Sequence, residues 1–319
     1  MGLPKVELFA YLPSMAEEVE EIVPDSELRG MALRLPAALR PYWLLARFDR
    51  PIGSWLLFWP GAWAIALAGR AVERWDLIGW MALGAIVMRG AGCVYNDIVD
   101  RDLDSKVART AARPLASGRV SPMAAWAWLA VLCLIGLIVL LQFNLTAAGA
   151  ALASLGAVAA YPFMKRITWW PQAWLGIVFS WAALVGWPAV TGRFDPALWL
   201  LYGGSVFWVI GYDTIYALQD IEDDALAGVK SSARALGRHA RSGVALLYVV
   251  AIACWAAALW QVRPQALGLA ALIPIAVHLG WQIAALDPAD PADALAKFRA
   301  NRFAGLLMFL ACFVVGATA

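Results

Sequence analysis

From residue 51 onward the chain alternates long apolar runs with short polar connections. The runs at 51–69, 77–96, 122–141, 145–163, 170–190, 197–218, 242–261, 264–284 and 302–318 each approach the ~20 residues that an α-helix needs to cross a bilayer. A backbone in hydrocarbon must satisfy its own hydrogen bonds, so each run predicts a helix. The pattern therefore predicts an all-α, polytopic membrane protein with nine transmembrane helices. Residues 1–46 differ. There Leu33, Leu35, Leu39, Trp43 and Leu44 alternate with Arg34 and Arg40, as in an amphipathic helix lying at a membrane surface. We expect a cytosolic tail and interfacial segment over 1–46, then a single transmembrane domain over 47–319.

Composition agrees with the pattern. Hydrophobic residues make up 62% of the 319 and charged residues 15%, and the mean hydropathy is +0.68, too apolar to cover a soluble surface. The net charge of +2 says little; its distribution says more. Lys5, Arg29, Arg34, Arg40, Arg47 and Arg50 precede the first run, and the connections after the second, fourth, sixth and eighth runs are also basic. The opposite connections hold Arg70, Arg74, Arg193 and Arg263, and Arg89 lies inside a run. By the positive-inside rule we expect a multi-pass protein of a bacterial inner (cytoplasmic) membrane, with a cytoplasmic N-terminus. The mixed first forty residues, with Glu17, Glu18, Glu20 and Glu21, do not predict a cleaved signal peptide. Cys93, Cys133, Cys254 and Cys312 all lie in apolar runs without CxxC or Cys/His spacing, and read as packing residues.

Candidate chemistry sits where apolar runs end. Asn96, Asp97, Asp100 and Asp104 fall within an arc of about 100° on one helix face. Carboxylates crowded this way repel unless a cation joins them, and an oxygen-rich set favours a hard ion, Mg²⁺ first, which keeps positions open for phosphate oxygens. A second group, Asp220 and Asp224, closes the sixth run, with Asp213 two turns earlier on nearly the same face. Acids at a helix C-terminus meet a macrodipole that is already negative, which again calls for a cation. Basic connections follow both groups: Arg101, Lys106, Arg109, Arg113 and Arg119 after the first, Lys230, Arg234, Arg238 and Arg241 after the second. These residues serve as topology signals and lipid contacts, and with carboxylates and Mg²⁺ they also suit a diphosphate. The two regions form a weak internal repeat: Asp100 and Asp104 match Asp220 and Asp224 at an offset of 120, and Arg113-Pro-Leu115 is echoed by Arg234-Ala-Leu236. Two similar half-sites suggest one shared cavity.

These residues resemble the UbiA superfamily of intramembrane aromatic prenyltransferases, and within it the 4-hydroxybenzoate polyprenyltransferase branch. The superfamily's NDxxDxxxD motif stands here as Asn96, Asp97, Asp100 and Asp104, and its DxxxD motif as Asp220 and Asp224. The stretches RFDRPIGSWLLFWPG at 47–61, MRGAGCVYNDIVDRDLDSKVARTAARPLASG at 88–118, YPFMKRITWWPQAWLG at 161–176 and YALQDIEDDALAGVKSSA at 216–233 carry the likeness further. It covers the first seven runs; the last two and the tail match in character alone. The resemblance implies nine helices around a central cavity with both acidic motifs at its cytoplasmic mouth. It also implies a reaction of ubiquinone biosynthesis, the transfer of a polyprenyl group from its diphosphate to the ring of 4-hydroxybenzoate, ortho to the hydroxyl, with Mg²⁺ on the leaving diphosphate. Partners are then a polyprenyl diphosphate, 4-hydroxybenzoate and the bilayer, with no nucleic acid.

Tyr161 and Lys165 match the family's YxxxK element, which implies that they act on the diphosphate from one helix face; by themselves they read equally as interface anchors. Arg89 is costly in hydrocarbon unless it meets an anion, and we expect it to hold the 4-hydroxybenzoate carboxylate, with Asp213 assisting deprotonation. A structural Arg89–Asp213 pair is the plainer alternative. Asn96, Lys106, Arg109, Arg113 and Lys230 complete the expected substrate contacts. His278 reads as a packing residue. A sibling enzyme with another aromatic acceptor, or an ion-coupled transporter, would share many of these features; a transporter places its charges nearer the bilayer midplane, whereas these acids lie at helix ends.

Overall fold

The computed structural model describes residues 25–105, 108–221, 225 and 228–318. Among them every regular element is a helix. In chain order these are α1 (Arg29–Arg34), α2 (Arg40–Leu45), α3 (Ile52–Leu67), α4 (Trp75–Asp104), α5 (Ala108–Ala111), α6 (Pro122–Leu140), α7 (Leu145–Ile167), α8 (Pro171–Ser180), α9 (Ala182–Thr191), α10 (Pro196–Ala217), α11 (Ser232–Leu236), α12 (Ala240–Val262), α13 (Ala266–Ala270), α14 (Ile273–Ala285) and α15 (Pro291–Ala317). The all-helical expectation holds; the count of nine spans is not confirmed. Seven segments among the described residues are long and apolar enough to cross a membrane: 75–102, 122–140, 145–167, 171–191, 232–262, 268–285 and 291–317. The other two expected spans fall on α3, which has 16 residues and so is about 24 Å long, and on α10, whose Tyr, Gly and Asp213 dilute its apolar character.

Among the described residues the chain divides into two compact units, one running to residue 51 and including 93–128, the other including 52–92 and continuing from 129.

The second unit contains a large apolar core, with Trp63, Trp208 and Trp255 fully buried. Trp63 lies 5.0 Å from Trp208 and 5.4 Å from Trp255 between ring centroids. Two of the three indoles have acceptors in this apolar interior: Trp63 Nε1 donates to the Gly305 carbonyl at 2.8 Å and Trp208 Nε1 to Asn301 Oδ1 at 2.9 Å. Asn301 in turn donates to Gln282, which also accepts from the Tyr248 hydroxyl at 3.0 Å. His278 Nε2 is within 3.2 Å of the Ala300 carbonyl and 3.1 Å of Gln282, so it sits in a polar network joining α10, α12, α14 and α15. α10 and α12 approach closely because Gly204 has no Cβ: one there would lie 2.5 Å from the Trp255 ring and 2.9 Å from the Ala251 carbonyl.

Candidate active site

In the first unit the acids of α4 are turned inward. Asp97, Asp100 and Asp104 are buried, while Asn96 on the same helix is half-buried. Spacings of three and four residues repeat the helical period and place the carboxylates on one face, as their sequence pattern requires. Arginines meet them. Arg47 donates from a terminal nitrogen to Asp97 Oδ1 at 2.7 Å, and Arg113 donates to Asp104 Oδ2 at 2.7 Å and to the same Asp97 oxygen at 3.3 Å. A small cavity of about 20 Å³ lies here, lined by Leu44, Arg47, Arg50, Asp97, Ala112, Arg113 and Pro114. Burial pushes the Asp104 carboxyl above its usual range; Arg113 pulls it back, and Asp97 and Asp100 push it further up. The Arg113 guanidinium is lowered by burial and by its neighbour Arg47. Burial opposes the charge on Arg47 too, but Asp97 and Cys93 together outweigh it and hold that pKa well above the ordinary value.

Local structure explains how Arg47 and Arg113 arrive. Arg47 follows α2 in the left-handed region, at φ 53°, a conformation that is strained for a residue with a Cβ. Its own N–H donates to the Leu44 carbonyl at 3.0 Å, and the Phe48 N–H reaches the Trp43 carbonyl at 3.2 Å, closing the turn. Thr110 Oγ1 donates to the Asp104 carbonyl at 2.8 Å, and Arg113 N–H to the Thr110 carbonyl at 2.9 Å. The turn after α4 is thereby folded back over the helix's negative end, where cations are favoured.

Among the described residues no three acids, histidines or cysteines converge as a ready ligand set. The residues nevertheless suit a hard cation. Both arginines reach the same oxygen of Asp97, and Arg113 takes one oxygen of Asp104, so the opposite oxygen of each carboxylate is not committed to them. Lys106 lies outside the described residues, and Arg109 falls on α5.

The second unit holds the remaining candidates. Asp213 is half-buried on α10. Asp220 ends the 3₁₀ turn Leu218–Asp220 that extends α10, and Asp224 lies outside the described residues. Tyr161 and Lys165, both half-buried, stand in the last turns of α7. The chain after the second motif ties these helices together. Lys230 Nζ donates to the Ile167 carbonyl at the end of α7, 3.3 Å away, a favourable place for a cation. Two residues on, the Ser232 N–H donates to Gln172 Oε1 at 2.9 Å, and the Ser232 and Thr214 hydroxyls share a hydrogen bond of 2.7 Å. Thr214 is the neighbour of Asp213.

Arg89 lies on α4 against Gly53 of α3. A Cβ on Gly53 would fall 2.5 Å from Arg89 Nε and 2.7 Å from one of its terminal nitrogens, so the missing side chain is the room in which the guanidinium lies. Arg47 and Gly53 were not among the expected site residues. Both sit in the stretch RFDRPIG at 47–53, and the signal was the stretch itself, since neither spacing nor charge marks them individually.

Known proteins resemble this chain in sequence and in fold. Residues 57–313 match the UbiA prenyltransferase family. The mitochondrial 4-hydroxybenzoate polyprenyltransferase of Rattus norvegicus is 43% identical over 297 residues, covering 88% of this chain and 79% of that protein. The 4-hydroxybenzoate geranyltransferase 2 of Lithospermum erythrorhizon is 44% identical over 302 residues, covering 92% and 97%. In structure, the apo UbiA homologue from Aeropyrum pernix K1 superposes with a TM-score of 0.68 at 27% identity over 82% of this chain and 97% of the other. The UbiA homologue from Archaeoglobus fulgidus bound to GPP and Mg²⁺ shares the fold, with a TM-score of 0.62 at 17% identity over 88% and 100%.

These relatives overturn one expectation. The bacterial inner membrane, with its cytoplasmic N-terminus and cytoplasm-facing site, gives way because the polyprenyltransferases of rat, Drosophila, Bos taurus and Arabidopsis thaliana are named as mitochondrial. The physical reason is simple: counting Lys and Arg sorts connections into two sides and carries no information on which bilayer they flank. With a family match across most of its length, relatives above two-fifths identity and a shared helical fold, the chain belongs to the UbiA prenyltransferase family.

Proposed function

We propose that the protein transfers a polyprenyl group from a polyprenyl diphosphate to 4-hydroxybenzoate, at the ring carbon ortho to the hydroxyl, as a step of ubiquinone biosynthesis. The observation that carries this reading is the buried set of Asp97, Asp100 and Asp104 with Arg47 and Arg113 at the end of α4. Alternating carboxylates and guanidiniums there provide both cation ligands and anion donors in one apolar setting. The named relatives act on 4-hydroxybenzoate, which supports the choice of acceptor, and structures of the family with Mg²⁺ and prenyl diphosphates support the donor.

In the reaction the allylic C–O bond breaks with its electron pair on the departing diphosphate. The ring carbon attacks the allylic cation, the C–C bond forms and the ring loses its proton. Asp97, Asp100 and Asp104 with Asn96 beside them, and Asp220 with Asp224 in the second motif, would each serve as ligands for a divalent cation, Mg²⁺ in our reading, which would supply charge neutralisation to the diphosphate. Arg47 and Arg113 give guanidinium donors to the oxygens on which charge develops, and Lys106 and Arg109 add positive charge to the diphosphate site. Tyr161 and Lys165 contribute a hydroxyl and an ammonium from one face of α7. Arg89 holds the acceptor carboxylate, and Asp213 receives the proton. Lys230 adds a further cation for the diphosphate.

The test is to incubate membranes containing the protein with 4-hydroxybenzoate, a prenyl diphosphate and Mg²⁺, with and without a chelator, and to analyse the products by mass spectrometry. A C-prenylated acid that disappears with chelator is expected. Formation of prenylated product from other phenols but none from 4-hydroxybenzoate would reject the acceptor.

A further inference from the structure

A second charged site lies at the other end of α10 from Asp220. α10 has 22 residues, about 33 Å, so Asp195 at its start and Asp220 beyond its end are separated by roughly a membrane's thickness. At the Asp195 end a cavity of about 380 Å³ is lined by Ala68, Arg70, Arg74, Val190, Thr191 and Arg193. Three of its six lining residues are arginines. The connections on this side of the chain carry four basic residues in all, Arg70, Arg74, Arg193 and Arg263, so most of the positive charge available there has been gathered into one place.

The backbone is built to gather it. Gly69 ends α3 at φ 85° and Gly192 ends α9 at φ 73°, both in the left-handed region that favours glycine. The Gly192 N–H closes on the Pro188 carbonyl at 2.8 Å, and each turn delivers an arginine as its next residue. Local acids orient the side chains: Arg70 to Glu73 at 3.0 Å, Arg74 to Asp76 at 2.9 Å and Arg193 to Asp195 at 2.9 Å. Asp195 is fixed in turn by Trp187 Nε1, 2.9 Å from its Oδ2. Surface pairs of this kind add little stability. Each occupies one or two of a guanidinium's five N–H donors, so the pairs leave donors along the cavity.

The surroundings give the depth. Val72, Trp75, Phe194 and Trp199 are exposed large hydrophobics beside these arginines in sequence, and Phe194 stacks on Trp199 with centroids 6.1 Å apart. Exposed aromatic rings of a membrane protein settle at the headgroup level of the bilayer. A cavity holding three guanidiniums with donors to spare at that level is matched in hydrogen-bonding geometry to a phosphate group.

We propose that Arg70, Arg74 and Arg193 form a binding site for a phosphate-bearing anion, separate from the acidic motifs. Two sources offer that chemistry, the phosphodiester headgroup of an anionic lipid and soluble phosphate. Native mass spectrometry of the full chain released from phosphatidylcholine nanodiscs, with and without phosphatidylglycerol, tests the first. Calorimetric titration with inorganic phosphate of the chain in a non-ionic detergent tests the second. Removal of each guanidinium should weaken binding roughly fivefold, so Arg70→Gln/Arg74→Gln/Arg193→Gln should retain phosphatidylglycerol about a hundredfold more weakly. Arg263→Gln, the remaining basic residue on that side, serves as the control and should retain it as the unaltered chain does. Loss of retention in the triple variant assigns the site to lipid; loss of inorganic phosphate binding with lipid retention unchanged assigns it to soluble phosphate. If both properties survive in a triple variant that melts as the unaltered chain does, the site does not exist. Should the triple variant fail to insert, the exposed Arg193→Gln decides by the same two measurements.

Discussion

Single residues divide into those whose chemistry shows in spacing and those whose role comes from backbone shape. Asp97, Asp100 and Asp104 belong to the first kind: intervals of three and four put them on one face, and in the fold that face is buried. Asp100→Ala and Asp220→Ala should each lower turnover by at least about a thousandfold while the protein still inserts, since each removes a charge that has to be answered in the transition state. Prenyl transfer by quenched assay, with insertion checked by carbonate extraction, decides it; substantial turnover in either variant would remove that motif from the site. Arg47 and Gly53 belong to the second kind. Gly53 reads as a plain glycine near the start of an apolar run, yet its missing side chain is where Arg89 lies, with Nε 2.5 Å from the Cβ position. Gly53→Ala should therefore copy Arg89→Met. An Arg–carboxylate contact made in ground and transition states alike gives a few kcal/mol at most, so both variants should raise the apparent KM for 4-hydroxybenzoate about tenfold to a hundredfold and leave that for the prenyl diphosphate nearly unchanged. A diphosphate defect with normal acceptor KM would move Arg89 to the leaving group.

Helices were more legible than their joints. Every apolar run of the sequence coincides with helix, because in hydrocarbon there is little else for an apolar run to become. The breaks were not legible. The run at 170–190 is split at Trp181, whose indole donates to the Ala150 carbonyl at 2.8 Å, and the run at 264–284 is split between α13 and α14. Neither break carries a charge or a change in hydropathy that a sliding average could detect. Packing distance was hidden for a similar reason. In a membrane helices associate by close van der Waals fit, and glycines set that fit only when a partner is known. Gly204 is such a case, with the Trp255 ring and the Ala251 backbone occupying the space of its Cβ. Gly204→Ala should cost about 1–3 kcal/mol, as overpacking of a filled interior does, and should lower the melting midpoint in detergent by several degrees with KM values unchanged. A midpoint equal to that of the unaltered chain would mean that α10 and α12 separate freely.

At the scale of the molecule, the question is whether the divalent cation holds the fold together or only serves the reaction. Structural metals supply much of the folding free energy, on the order of 10 kcal/mol, and their removal unfolds the protein. Here the second unit rests on its own apolar core, with Trp63, Trp208 and Trp255 fully buried and the Asn301–Gln282–Tyr248 network satisfied inside it. The first unit already answers two of its buried acids, since Arg47 and Arg113 hold Asp97 and Asp104 at 2.7 Å. A cation bound there adds stability only through its occupancy, about 2.7 kcal/mol at a hundredfold excess over its dissociation constant. Chelation should consequently abolish prenyl transfer while the melting midpoint falls by no more than a few degrees, and Mg²⁺ added back should restore the activity. Arg113→Gln should do the reverse in part: it leaves Asp104 buried with its negative neighbours at the end of α4, so it should destabilise the metal-free protein by roughly 3–5 kcal/mol, as breaking one side of a buried pair does. Thermal melts of both proteins with chelator, beside a turnover assay, separate the two roles. If chelation alone collapses the unaltered chain, the arginines are not the counter-charge that the fold relies on, and the acidic helix end is held by metal after all.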